Sequence, residues 1–317
     1  MTVSKSSLGF VFPGQGSQSV GMLAELGERH DTVTRTFGEA SEALGEDLWA
    51  IVQSGPESLL NRTDYTQPAM LAAGVAVWRL WRELGGPVPG CLAGHSLGEY
   101  TALVCAGALA FGDAVSLVRD RGRFMQEAVP EGEGAMAAVL GLDDGQVREV
   151  CAEAAGEAVV EAVNFNAPGQ VVIAGNRAAV ERAIEGARAT GAKRAVELPV
   201  SAPSHCALMR PASERLASRL ANVDVTSPEI PVIQNADVGV HESPEAIRSG
   251  LVEQLHSPVR WVETITAMKD RGVERLVECG PGKVLTGLNR RIDRRMPISP
   301  IVDGDSLDKA LQEERPA

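Results

Sequence analysis

Three features of the sequence predict an α/β protein in two parts. Apolar strand-like runs alternate with helical patterns, which implies a parallel sheet covered on both faces. A serine flanked by glycines sits between a short strand and a nearly all-apolar helix. Between residues 131 and 200 the patterns run β-α-β-β-α-β, the ferredoxin-like order. The expected architecture is therefore a large α/β-hydrolase-like parallel-sheet domain, residues 1–130 and 201–317, with a small ferredoxin-like domain, 131–200, inserted into it.

Leu8–Phe12 is a short apolar run ended by Pro13-Gly14 and reads as a buried strand entering a loop. Pro68 has the look of a first-turn helix residue, followed by the apolar pattern Met70–Leu84 and stopped at Gly85-Gly86-Pro87. Cys91–Ala93 then feeds Gly94-His95-Ser96-Leu97-Gly98, and an apolar, hence buried, helix runs from Tyr100 to about Leu109. After the linker-like segment 130–134, a strand over Ala135–Leu142 leads to Asp143-x-x-Gln146, a capping box opening a helix to about Ala155. Strands Ala158–Phe165 and Gln170–Ala174 follow, then a helix capped by Asn176 and stopped by Gly191, then a strand over Lys193–Val200. Past Asp305 the chain reads as a low-order polar tail.

Bulk composition removes several classes of function. The net charge of −12 and an aromatic content of 4% disfavour a nucleic-acid surface. Met1–Leu8 lacks the apolar core of a signal peptide, and no apolar run reaches membrane-spanning length, so neither membrane nor export is expected and the cytoplasm is. Five scattered cysteines, Cys91, Cys105, Cys151, Cys206 and Cys279, form no C-x-x-C pair and fit reduced thiols.

Gly94-His95-Ser96-Leu97-Gly98 fits G-x-S-x-G, the nucleophile elbow, and its context of strand, tight turn and buried helix is the one an elbow requires. Helix amides beginning with Leu97 would face an oxyanion formed at Ser96. The hydroxyl needs a base. His205, where the chain returns to the large domain, ranks first, with His256 next; His95 lines the pocket, and His30 and His241 lie in polar surroundings. Pro13-Gly14-Gln15-Gly16-Ser17-Gln18 lacks the glycine spacing of a dinucleotide loop and reads as a loop at a strand's C-terminal end, supplying a backbone N–H. Gly280-Pro281-Gly282-Lys283 is not a P-loop, and no metal-ligand spacing occurs. Arg119, Arg121 and Arg123 alternate; on a helix Arg121 points about 160° away from the others. It is either a third solvated arginine or one buried to meet an anion.

These segments, together with Arg121-Gly122-x-Phe124-Met125-Gln126, Asn164-Phe165-Asn166-x-Pro168-Gly169-Gln170, Pro203-Ser204-His205-Cys206 and Gln254-Leu255-x-x-Pro258-Val259-x-Trp261, occur in an order that resembles the malonyl-CoA:acyl carrier protein transacylases of the free-standing bacterial type. The resemblance spans about Gly9 to Leu288. It implies Ser96 as nucleophile, His205 as general base, Gln15 and Leu97 as oxyanion amides, Arg121 as the grip on a malonyl carboxylate, and Gln254 orienting His205 through its backbone carbonyl. It further implies malonyl-CoA as acyl donor, an acyl carrier protein as partner, fatty acid synthesis or a polyketide or polyunsaturated-lipid assembly line as setting, and no cofactor. A monomer is the default state. Ala202-Pro203-Ser204-His205 has the fatty-acid-type form, so the extender code of polyketide-synthase relatives does not apply.

Two rivals differ in what they require. A hydrolase would place an acidic residue behind its histidine, and a non-catalytic carrier-binding module would never acylate. Because carriers of this kind are acidic, docking to a chain of charge −12 calls for a local basic patch. Lys283 with Arg290, Arg291, Arg294 and Arg295 on one helix is the first candidate. Arg177, Arg182, Arg188, Lys193 and Arg194 are the second.

Overall fold

The computed structural model describes residues 6–200 and 202–314; Met1–Lys5, Ser201 and Arg315–Ala317, where the expected junction and both chain ends fall, lie outside the described residues. Two sheets organise the chain. The first joins β1 (Leu8–Phe12), β2 (Cys91–Gly94), β7 (Val232–Ile233), β8 (Arg275–Cys279) and β9 (Ile298–Ile301) in the order β7-β2-β1-β8-β9, all parallel. The second joins β3 (Gly134–Leu140), β4 (Val160–Ala167), β5 (Gln170–Asn176) and β6 (Arg194–Glu197), all antiparallel, in the order β4-β5-β3-β6. That is the ferredoxin-like arrangement expected for this segment.

Every residue of β1 is buried, as a strand covered on both faces demands. Its register sets Phe12 beside Gly94 and Val11 beside Glu278, so β1, β2 and β8 end together. Loops leaving such ends are where α/β proteins place their chemistry. The helix behind the sheet runs Thr63–Glu83, starting five residues before Pro68. Pro68 therefore lies inside the helix, where it removes one bond to the Asp64 carbonyl, and the burial of this face outweighs the loss. The helix after β2 spans Gly98–Cys105 and stops short of Leu109, because Gly107 turns the chain at φ +76° and Leu109 pairs with Val225.

In the smaller sheet the predicted capping box is present: Asp143 Oδ1 accepts from the Gln146 N–H at 2.9 Å, and the Gln146 side chain accepts from the Asp143 N–H at 3.0 Å. Asn176 departs from its expected role. It precedes the helix Arg177–Ala189, but its side-chain oxygen accepts from the Val159 N–H at 2.9 Å and so ties the end of β5 to the residue that leads into β4. β4 carries two irregularities, between Ala162 and Asn164 and between Phe165 and Ala167. Bulges of this kind re-aim side chains near functional sites. The free edge of β4 is covered by the segment around Val259, whose N–H donates to Val163 (2.8 Å) and whose carbonyl accepts from Phe165 (3.0 Å).

Two expectations for the C-terminal part are corrected. The stretch past Asp305 is no tail: Gly304–Glu313 is a helix capped by Asp303, with Leu307, Ala310 and Leu311 buried at helical spacing. The helix bearing Arg290 and Arg291 spans Val284–Ile292, so Arg294 and Arg295 lie beyond its end and do not continue its faces. In the other basic cluster Arg177 pairs with Glu197, Arg188 with Glu185, and Arg182 donates to the Ala154 carbonyl. The cysteines are free, and burial pushes the Cys91 thiol up to about 11 and those of Cys151 and Cys206 to about 12. Among the described residues no helix is long and apolar enough to cross a membrane.

Asp143→Ala removes the acceptor of the capping box on an exposed helix end. Unfolding in urea should show a loss of about 1 kcal/mol.

Candidate active site

The turn between β2 and the following helix holds Ser96 at φ +51°, a left-handed conformation that side chains rarely adopt. The glycines on either side are required by contact rather than by flexibility. A Cβ on Gly94 would stand 1.8 Å from the Gly98 backbone, and one on Gly98 would stand 2.1 Å from the Phe12 carbonyl oxygen. Close packing therefore pins the turn against β1. The Ser96 N–H donates to Asn235 Oδ1 at 2.7 Å, and Asn235 in turn donates from Nδ2 to the Gly94 carbonyl at 2.7 Å.

Ser96 Oγ lies 2.7 Å from His205 Nε2, although the two are far apart in the chain. The other ring nitrogen, Nδ1, lies 2.8 Å from the backbone carbonyl oxygen of Gln254. Since that carbonyl can only accept, Nδ1 carries the proton and Nε2 is left to accept from the serine. His205 is itself in a left-handed conformation at φ +66°, tied down by its N–H to the Leu255 carbonyl at 3.0 Å. Burial, and then the positive charge of Arg121, push its pKa down to about 3. A neutral imidazole that accepts from a hydroxyl is chemically able to take the serine proton.

Arg121 resolves the question its spacing posed. Arg119 and Arg123 pair with Glu46 and Asp120 near the surface, whereas Arg121 is 1% exposed. Its guanidinium lies over the Tyr100 ring, donates to Gln67 Oε1 at 2.8 Å and Gln254 Oε1 at 3.0 Å, and reaches to 3.4 Å of Ser96 Oγ. Among the described residues it forms no ion pair, and its Nε has no hydrogen-bond partner. A buried cation held only by neutral groups is an incomplete arrangement, open to an anion.

A cavity of about 210 Å³ brings these groups together. Gln15, Leu97, Ser96, Arg121 and His205 line it, together with His95, Asn164 and Asn166. Gln15 donates from its side chain to Thr63 Oγ1 at 3.3 Å. His95 Nε2 lies 2.8 Å from Asn166 Oδ1. His256 stands beside Glu253, and His241 pairs with Asp237; neither lines the cavity.

Sequence reasoning missed Asn235, Gln67 and Glu99. Glu99 carried a usable signal, an acid in the first turn of an otherwise apolar helix. Asn235 carried none, because its place beside Ser96 follows from the pairing of β7 with β2.

A parallel α/β sheet with a serine in a left-handed turn at a strand end, bonded to a histidine, is in keeping with the family the chain belongs to, the acyl transferases, whose domain model matches residues 9–297. Its relatives lie among the malonyl CoA-acyl carrier protein transacylases. The Salmonella typhimurium protein of that name is 56% identical over 302 residues, 95% of this chain and 98% of that one. The structure of the Coxiella burnetii malonyl CoA-acyl carrier protein transacylase superposes with a TM-score of 0.97 at 51% identity, covering 99% of each chain. A malonyl-transacylase solved in complex with its type II PKS acyl-carrier protein superposes with a TM-score of 0.96 at 54% identity, covering 97% of this chain and 100% of that one.

Gly98→Ala should drive its new methyl group into the Phe12 carbonyl and lower stability by on the order of 3 kcal/mol. Gly287→Ala, with nothing within 4 Å of its Cβ, is the matched control and should stabilise by up to about 1 kcal/mol. Urea unfolding of both variants checks the contrast.

Proposed function

We propose that this chain transfers a malonyl group from malonyl-CoA to the phosphopantetheine thiol of an acyl carrier protein, through an ester on Ser96. The observation that carries the reading is Arg121, a buried cation without a carboxylate partner, 3.4 Å from the serine oxygen. A malonyl group is an acyl chain that brings the missing carboxylate with it. Arg121 can hold it with two parallel charge-assisted bonds, a geometry a lysine could not reproduce.

In the first half-reaction His205 Nε2 takes the Ser96 proton as the oxygen attacks the thioester carbon. The tetrahedral oxyanion rests on the Gln15 and Leu97 amides; the Ser96 and Gly98 amides on either side of Leu97 are engaged with Asn235 and His95. The imidazolium then gives its proton to the departing coenzyme A sulfur. In the second half-reaction the carrier thiol loses its proton to His205 and attacks malonyl-Ser96, and Ser96 regains its proton as the ester breaks. Gln254 orients His205 through its carbonyl, where a hydrolase of the α/β class would use a carboxylate. A carboxylate on Arg121 also offsets the charge that depresses His205, so the base is strengthened once the correct acyl group is bound. The scheme asks for no cofactor. We read the enzyme as a cytoplasmic monomer of fatty acid synthesis.

The carrier docks, in this reading, on the helix Val284–Ile292. Its inner face sends Leu285 and Leu288 into the cavity, and its outer face carries Arg290 and Arg291. Arg290→Glu should raise the carrier KM and weaken its salt dependence while loading of Ser96 from malonyl-CoA stays near normal. An unchanged carrier KM sinks the docking assignment.

Intact-protein mass spectrometry after mixing with malonyl-CoA tests the core of the reading. Wild type should carry one malonyl adduct, discharged by added carrier, and Ser96→Ala should carry none. Arg121→Ala should lower malonyl transfer by about 2–4 kcal/mol of transition-state stabilisation and acetyl transfer far less. Equal losses for both donors would assign Arg121 a structural role only.

A further inference from the structure

Glu99 has no place in the scheme above, yet it is 0% exposed and lies one turn beyond Ser96. Its Oε2 accepts from the Asn235 backbone N–H at 2.8 Å and from Gln254 Nε2 at 2.9 Å. Both donors lead back to the reacting groups. Asn235 holds the Ser96 N–H and the Gly94 carbonyl through its side chain. Gln254 Nε2 also donates to the Ser96 carbonyl at 3.0 Å, its Oε1 accepts from Arg121 at 3.0 Å, and its backbone oxygen faces His205 Nδ1 at 2.8 Å.

The chemistry of an amide gives this wiring a direction. An ionised carboxylate only accepts, so Gln254 must turn its NH₂ toward Glu99 and its carbonyl oxygen toward Arg121. A flipped amide would aim an N–H at a guanidinium. The same amide stands between Glu99 and Arg121 and keeps them from closing into an ion pair. A direct pair would neutralise the cation and leave nothing for an incoming carboxylate.

We infer that Glu99 is a positioning residue for acyl transfer, which acts through Gln254 and Asn235 to hold the Ser96 turn and to keep the Arg121 charge available to the substrate. The inference rests on the roles proposed above for Ser96, His205 and Arg121. Among the described residues, the charged and titratable groups that face the carboxylate are Arg121 from the helix Phe111–Ala128, Asp237 from the loop after β7, the neighbouring Tyr100, and His205 through Gln254.

Burial raises the Glu99 carboxyl to about 7, against the opposing pull of Gln254, Asn235 and Arg121. The Oε1 atom has no hydrogen-bond partner, so a proton added there leaves both Oε2 bonds in place but removes their charge. Such bonds lose about half their strength when neutralised. The active form is the ionised one. The rate of Ser96 loading should therefore fall as pH drops through about 7, from one plateau to another lower by about three- to tenfold. His205 does not set this limb, because burial, the larger cause of its low pKa, persists when a carboxylate meets Arg121.

The test is the pH profile of single-turnover loading of Ser96 from malonyl-CoA, read by quenched-flow mass spectrometry, for wild type and Glu99→Gln. The variant should sit near the lower plateau, flat across about two pH units either side of 7, with its preference for malonyl over acetyl reduced. Glu99→Asp, which restores the charge, should bring the limb back. A wild-type profile without the limb, or a Glu99→Gln profile that keeps it, overturns the inference. If Glu99→Gln does not fold, Gln254→Met is read in its place; it keeps the carbonyl that faces His205 and removes the amide between Glu99 and Arg121. A full-sized limb in that variant is equally fatal. Failure of the wider reading would look different: wild type would form no Ser96 adduct, or Arg121→Ala would not discriminate malonyl from acetyl.

Discussion

The constraint on which the site depends is the presence of a full positive charge in the protein interior without a negative partner. Removing a guanidinium from water is costly, and proteins ordinarily offset the cost with a carboxylate. Here Arg121 is held by the amide oxygens of Gln67 and Gln254 and by the face of Tyr100. Dipoles of this kind solvate the charge without cancelling it. The consequences spread outward. His205 is kept neutral partly by this neighbour, and Gln254 must serve two masters, its backbone facing the histidine and its side chain facing the arginine.

Precision at Ser96 comes from packing. The turn is left-handed, and its two glycines are so close to neighbouring backbone that no larger residue fits. The parallel register of β1, β2 and β8 brings three strand ends together, and the loops leaving β1 and β2 line one cavity with the helix that follows β8. A fourth strand, β7, contributes only two paired residues, yet the pairing delivers Asn235 to the serine amide. Short as it is, β7 has a positional task that its length does not suggest.

What could be read from the sequence was local. The Asp143 capping box, the burial of Leu8–Phe12 and the strand–turn–helix around Ser96 each depend on residues within a few positions, and each stands in the structure as the spacing implied. The helix containing Pro68 was misread for the same reason: a local rule about proline was outweighed by the burial of one long face. Arg121 could be set apart from Arg119 and Arg123 by helical geometry, but whether it met an anion or water depended on Gln67 and Gln254, far away in sequence. Asn176 shows the opposite failure, a good capping residue recruited by Val159 instead.

The covering of the β4 edge has a mechanical meaning. The Val259 segment is stitched to Val163 and Phe165 by two backbone hydrogen bonds, only a few residues beyond the carbonyl that faces His205. Asn164 and Asn166, on the same strand, line the cavity together with Ser96 and Arg121. The strand that lines the cavity is thus riveted to the segment whose Gln254 carbonyl faces His205. A displacement of β4 from that segment would have to break both bonds a few residues from the carbonyl that faces His205. The strand that lines the pocket and the segment that faces the histidine therefore share one anchor.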